Sequence, residues 1–225
     1  KISQPSDKDS KSIFHFIVRN IFDLNINIYS YNTTEYIKDM GTPKRLEEVK
    51  RDLSKNIVRK KNYRNLQKAL FLVRATTIIN CKEGEYITQI DKINFISNNI
   101  ERIIPISLKY DFVCIVTNQP SIAMGKPSLK ELDHINSIVI KFCLSKGLKI
   151  DVVTFCPHHP HKGFKQEIKP LKIDCFCRKP NPGLLLEQSF LRNIDVKESL
   201  LIGDSDRDLL AAKNAGCRFL NVNSL

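Results

Sequence analysis

The sequence predicts an α/β fold in which a parallel sheet is covered by helices on both faces. Three observations lead there. Apolar residues make up 42% of the 225-residue chain and charged residues 27%, the balance of a globular protein with a real core. From residue 69 onward, short strand-like apolar runs alternate with stretches of helical periodicity, the order that βαβ units produce. Polar and acidic motifs follow several of the runs, where a parallel sheet holds its ligands.

Taken in order, residues 13–30 read as an amphipathic helix (Ile13, Phe14, Ile17, Val18, Ile21, Phe22) running into a short strand at 26–31. The polar first dozen residues, opening at Lys1 without a Met, are expected to be mobile and to belong to something longer. Next, Asp39-Met40-Gly41-Thr42-Pro43 sets Thr42 as N-cap and Pro43 at the first position of a charged helix ending near Leu53. Residues 54–68 form a basic, polar linker. The strands of the main domain are expected at 70–73, 112–117, 151–156, 200–203 and 218–222, and its helices at 93–108, 128–146, 183–191 and 206–215. The domain reading is therefore 1–53, a linker at 54–68, and 69–225.

The net charge of +12 raises a nucleic-acid hypothesis. Lys is nevertheless spread along the chain, with one denser stretch from Lys44 to Lys68, so a solvated face is the better reading and nucleic acid is not expected as a partner. No apolar run reaches the roughly 20 residues of a membrane helix, and no signal peptide opens the chain, so a cytoplasmic protein is expected. Seven cysteines in that compartment argue for thiols or metal ligands rather than disulfides.

Four motifs concentrate the chemistry. Cys156-Pro157-His158-His159-Pro160 and Cys175-Phe176-Cys177 place thiolates and imidazoles within 22 residues, which points to a closed structural zinc site held by Cys156, His158, Cys175 and Cys177. His159 and His161 are reserve ligands. Ile202-Gly203-Asp204-Ser205-Asp206-Arg207-Asp208 follows a strand and opens a helix; Asp204 could hold Mg²⁺, with Asp208 behind it, although acids at a helix start also serve as caps. Thr117 and Asn118 offer hydrogen bonds to a phosphoryl oxygen, and Arg178 and Lys179 offer positive charge beside it.

In this order, Val116-Thr117-Asn118-Gln119 with Ile122-Ala123 and Gly125, the two zinc motifs running on into Arg178-Lys179-Pro180 and Pro182-Gly183, and Ile202-Gly203-Asp204 resemble the D-glycero-D-manno-heptose 1,7-bisphosphate phosphatases. These are haloacid-dehalogenase superfamily enzymes related to the histidinol-phosphate phosphatases. The resemblance covers residues 69–225. It implies a Rossmann-like haloacid-dehalogenase domain with an inserted zinc loop, and a Mg²⁺-dependent phosphatase acting through an aspartyl-phosphate, with a second aspartate protonating the leaving group. It also implies a phosphorylated sugar as partner, in heptose and glycan precursor metabolism. Residues 13–53 resemble the C-terminal end of a sugar-1-phosphate nucleotidyltransferase, implying a short N-terminal α/β segment and a nucleotidyltransferase domain or protein as partner.

One departure matters most. The family's first strand ends in Phe-Leu-Asp-Arg-Asp-Gly-Thr, whereas this chain reads Phe71-Leu72-Val73-Arg74-Ala75-Thr76-Thr77. Val73 stands where the nucleophile belongs, Ala75 where the general acid belongs, and Thr76 where the turn has glycine. The expectation is a folded, zinc-bearing domain with weakened magnesium binding and little or no phosphatase activity. The alternative is a non-catalytic module that binds a sugar phosphate or partners a nucleotidyltransferase.

Overall fold

The computed structural model describes residues 33, 35–81 and 85–225, so the helix and strand expected at 13–31 lie outside the described residues. Contacts divide the chain between Thr33 and Thr34, and the architecture below is that of the unit from Thr34 to Leu225. Its first helix, α1 (Pro43–Ser54), starts as the capping residues dictate: the Thr42 hydroxyl accepts from the Arg45 amide at 3.3 Å, and Pro43 sits in the first turn. Ahead of it the Gly41 amide donates to the Asp39 carboxylate at 2.9 Å, and Asp39 pairs with Arg45. The basic stretch at 54–68 contains a short helix, α2 (Ile57–Lys60). Its end is tied down, because Gln67 donates its amide to the Asn193 carbonyl and accepts from the Asp195 amide, both at 2.8 Å.

Beyond it come β1 (Ala69–Leu72), α3 (Ser97–Ser107), β2 (Phe112–Asn118), α4 (Leu129–Ser145), β3 (Val152–Cys156), α5 (Gly183–Arg192), β4 (Leu200–Gly203), α6 (Asp206–Ala215) and β5 (Arg218–Asn221). Each lies within a few residues of its expected range. The strands form one sheet in the order β3-β2-β1-β4-β5, and every pairing is parallel. The order reverses between β1 and β4, which is where such sheets open a crevice for ligand. Val73, Asn118, Cys156 and Asp204 all fall at this rim.

Side chains along a strand alternate between faces. Leu70 and Leu72 therefore pack with Ile100 and Ile103 of α3 and Val139 of α4, while Ala69, Phe71 and Val73 pack with Leu184 and Leu185 of α5 and Ala212 of α6. Val73 continues an apolar face to the last position before the crevice. Among the described residues no helix is long and apolar enough to cross a membrane.

Candidate active site and metal-binding loop

A cavity of about 550 Å³ opens at the C-terminal ends of the strands, and Val73, Ala75, Thr117, Asn118, Lys179 and Asp204 are among the residues that line it. The chain leaves β1 through a tight turn. Val73 donates its amide to the Ile202 carbonyl at 3.0 Å, and the turn closes through Thr76 N to Ile79 O (2.7 Å) and Ile78 and Ile79 N to Arg74 O (3.1 and 3.0 Å). Thr76 adopts φ +60°, a left-handed conformation that a β-branched residue reaches only with strain. Gly203, on the neighbouring strand, has no room for a side chain: a Cβ there would stand 2.9 Å from Val73 Cγ2 and from Asp208 Oδ2. That close approach packs β1 tightly against β4 at the base of the crevice.

Arg74 turns inward. It is 3% exposed, and its guanidinium donates to Gln119 Oε1 (2.7 Å) and Asn136 Oδ1 (2.8 Å), both neutral acceptors. Burial lowers its pKa to about 10, opposed only by Cys81. Gln119 passes the network on, donating from Nε2 to the Thr117 hydroxyl at 2.8 Å. The sequence reading had no role for Arg74, Gln119 or Asn136. A charge inside the apolar run of Phe71 to Ala75 was the available signal for the first.

Lys179 is as deeply buried, and its ammonium meets Asp208 Oδ1 at 2.6 Å and the Val116 carbonyl at 3.2 Å. Burial lowers the Lys179 pKa, against the pull of Asp208 and Asp204. Burial also works against the Asp208 carboxylate, but Lys179 and the amide and hydroxyl of Ser205 (3.2 and 2.6 Å) overcome it and hold the carboxyl below its usual range. Asp208 thus caps α6 and neutralises Lys179. Asn118 braces the same loop: its amide nitrogen donates to the Lys179 carbonyl and its oxygen accepts from the Lys179 amide, both at 3.0 Å. Arg178 lines the cavity while Nη1 reaches the His158 carbonyl at 3.2 Å. Asp204 is half-buried just beyond β4.

Cys156, His158, Cys175 and Cys177 converge. Cys156 Sγ and Cys177 Sγ each lie 3.4 Å from Cys175 Sγ, and His158 Nδ1 lies 3.5 Å from Cys156 Sγ and 3.3 Å from Cys177 Sγ. All four donor atoms sit within 4.8 Å of one another. Burial pushes the Cys156 and Cys177 thiols up, so a cation is what would hold them as thiolates. His159 turns elsewhere, buried against Phe164 at 5.2 Å between ring centres, and its Nδ1 accepts from the His161 amide at 3.1 Å. The loop between the ligands is anchored by Ile168 N to Ala123 O (2.9 Å) and by the Lys172 ammonium over the Phe164 ring at 4.2 Å. Gly183, which starts α5 after the second ligand pair, must be glycine, since a Cβ would fall 2.4 Å from the Phe176 carbonyl oxygen.

The comparisons with known proteins agree with this geometry. The HAD-hydrolase-like family model matches residues 176–224. The chain is 34% identical over 151 residues to the D-glycero-beta-D-manno-heptose-1,7-bisphosphate 7-phosphatase of Pasteurella multocida, covering 67% of this chain and 78% of that one. This chain belongs to the HAD-like heptose 1,7-bisphosphate phosphatase family. The D-glycero-alpha-D-manno-heptose-1,7-bisphosphate 7-phosphatase of Photorhabdus laumondii is 35% identical over 153 residues, covering 68% of this chain and 80% of the relative. Among solved structures, a HAD-like phosphatase from Mesorhizobium loti aligns with TM-score 0.60 at 30% identity, over 68% of this chain and 70% of that one. The D,D-heptose 1,7-bisphosphate phosphatase from B. bronchiseptica, complexed with magnesium and phosphate, aligns with TM-score 0.57 at 26% identity, over 68% and 78%.

The two metals that the resemblance implies fit the chain unequally. A tetrahedral zinc ion with Zn–S near 2.3 Å sets its sulfurs about 3.7 Å apart, so the Cys₃His cluster is consistent with a zinc loop. Magnesium finds less: the Asp208 carboxylate is engaged by Lys179 and Ser205, positions 73 and 75 supply no carboxylate, and no other cluster of three or more metal-ligating groups occurs among the described residues. Asp204 alone is a thin donor set for a hard cation.

Proposed function

We propose that this protein is a sugar-phosphate-binding member of the heptose 1,7-bisphosphate phosphatase family whose turnover is lost or strongly reduced. The observation behind this reading is that Val73 and Ala75, which the resemblance sets at the positions of the nucleophile and the general acid, line the cavity. Neither side chain can attack phosphorus, protonate a leaving group or coordinate a metal. General acid–base assistance alone contributes about a hundred- to ten-thousandfold, and losing the covalent route with it leaves little rate.

What would remain is recognition. Thr117, Asn118, Arg178 and Lys179 surround the space for a phosphoryl group, Asp204 faces it, and the zinc held by Cys156, His158, Cys175 and Cys177 would fix the loop that leads directly into Arg178 and Lys179. The zinc is structural, since four protein ligands leave no open position. The substrate class, a heptose bisphosphate, rests on the relatives of both anomeric specificities. The test is phosphate release from heptose 1,7-bisphosphate by zinc-loaded protein with Mg²⁺ present. The native chain is expected to show no steady release, and Val73→Asp with Ala75→Asp to gain it. Steady release by the native chain would overturn the proposal.

The Asp39 to Pro43 turn favours a second role, docking against a nucleotidyltransferase. Its Gly41 and Thr42 hydrogen bonds give the segment a defined turn and cap, and the docking role rests on the resemblance of residues 13–53. Co-purification with such an enzyme, lost on deleting residues 35–54, would support it; no association would remove it.

A further inference from the structure

Resting on the proposed phosphate-binding role, we infer that this pocket holds its phosphoryl ligand without magnesium, because the loss of two aspartates does electrostatically what the metal would have done. The cations lining the cavity are Arg74, Arg178, Lys179 and Arg207. Its carboxylates are Glu85, Asp204, Asp206 and Asp208. The wall is therefore neutral as it stands. Aspartates at 73 and 75 would make it doubly negative, a field that repels a phosphate dianion until a divalent cation cancels it.

Arg74 gives this balance its direction. It lies between the two altered positions, is nine-tenths or more buried, lines the cavity, and pairs with no carboxylate among the described residues. Its located acceptors, Gln119 and Asn136, are neutral amide oxygens. A desolvated cation without a counter-charge is costly, and an anion entering the cavity relieves that cost. The bonds that close the β1 turn use neither the Arg74 nor the Ala75 amide, so both are spared by the turn itself. Lys179, by contrast, arrives already balanced by Asp208 at 2.6 Å. With Asp204 the one carboxylate at the strand ends, among the described residues, that hydrogen-bonds neither Lys179 nor Ser205, added magnesium has little to bind and little to add.

Equilibrium titration with inorganic phosphate tests this on the full, zinc-loaded chain, in magnesium-free buffer and with millimolar Mg²⁺. The dissociation constants are expected to agree within about twofold. Binding that appears only with Mg²⁺, or tightens about tenfold or more, would overturn the inference while leaving the phosphate-binding proposal standing. Absence of binding in both buffers would overturn both. Ala75 is half-buried and tolerates a carboxylate better than Val73, so Ala75→Asp serves as the second arm. It should weaken metal-free phosphate binding about tenfold or more, with Mg²⁺ restoring part of the loss. Unchanged metal-free binding in this variant would sink the charge argument.

Discussion

The ends of β3 and β1 lie on the same rim of one parallel sheet, with only β2 between them, and their chemistry is opposite. At β3, Cys156 and three partners keep every donor that a tetrahedral metal needs, within 4.8 Å of one another. At β1, Val73 and Ala75 offer none, and Val73 has joined the apolar cluster beneath it. Removing one of these four donors would leave the other three unable to close a tetrahedral site in a loop with few apolar anchors. Val73, by contrast, extends a core already built from Ala69 and Phe71 and adds no charge beside it. Folding therefore resists the loss of a donor at β3 and tolerates Val73 at β1.

The largest effect should come from attacking the β3 end. Structural zinc stabilises small domains by about 10–16 kcal/mol, so chelation or Cys175→Ser should open residues 156–177 to protease and lower the thermal midpoint by about 10 °C or more. Phosphate binding should fall with it, because Cys177 immediately precedes Arg178 and Lys179. A zinc-free preparation with an unchanged midpoint would remove the asymmetry between the two ends.

The next largest effect concerns the Lys179–Asp208 pair, each side chain 4% exposed. Asp208→Asn leaves a buried ammonium without its counter-charge and should cost about 3–5 kcal/mol in urea unfolding. The sign with pH follows from the lowered Asp208 carboxyl. Its stabilisation is present above the unfolded value near 4 and is lost as pH falls through the lower folded value, so the native chain should weaken in acid more steeply than the variant.

The fold and the convergence of the Cys/His cluster were legible for one reason: both are written in local spacing. Strand and helix periods, the Thr42 and Pro43 cap, and the two short ligand pairs are properties of neighbouring residues. What stayed hidden depends on distant ones. Choosing His158 over His159 required Phe164 to claim the second imidazole. Asp208 was expected behind a metal, but 29 positions earlier in the chain stands the lysine it meets. Asn118 lines the cavity, but that its side chain would also brace the Lys179 backbone could not be read from spacing. Arg74 could be seen as a charge in an apolar run, but not that Gln119 and Asn136 would receive it.

Thr76 offers the smallest and most discriminating test, because it asks whether the β1 end still carries strain from a turn built for glycine. At φ +60° an L-residue costs about 1–2 kcal/mol, and glycine gives back about 0.5–1 kcal/mol through its looser unfolded state. Thr76 also donates its hydroxyl to the Ala75 carbonyl at 2.5 Å, a bond glycine cannot make. The strain should still win: Thr76→Gly is expected to stabilise by about 0.5–1 kcal/mol, a rise of roughly 2–4 °C at the upper figure, measured by thermal melting. Destabilisation instead would mean that the Thr76 hydroxyl holds the turn in shape. The β1 end would then have a structural device of its own, as the β3 end has in its Cys/His cluster, and what sets it apart would extend beyond positions 73 and 75.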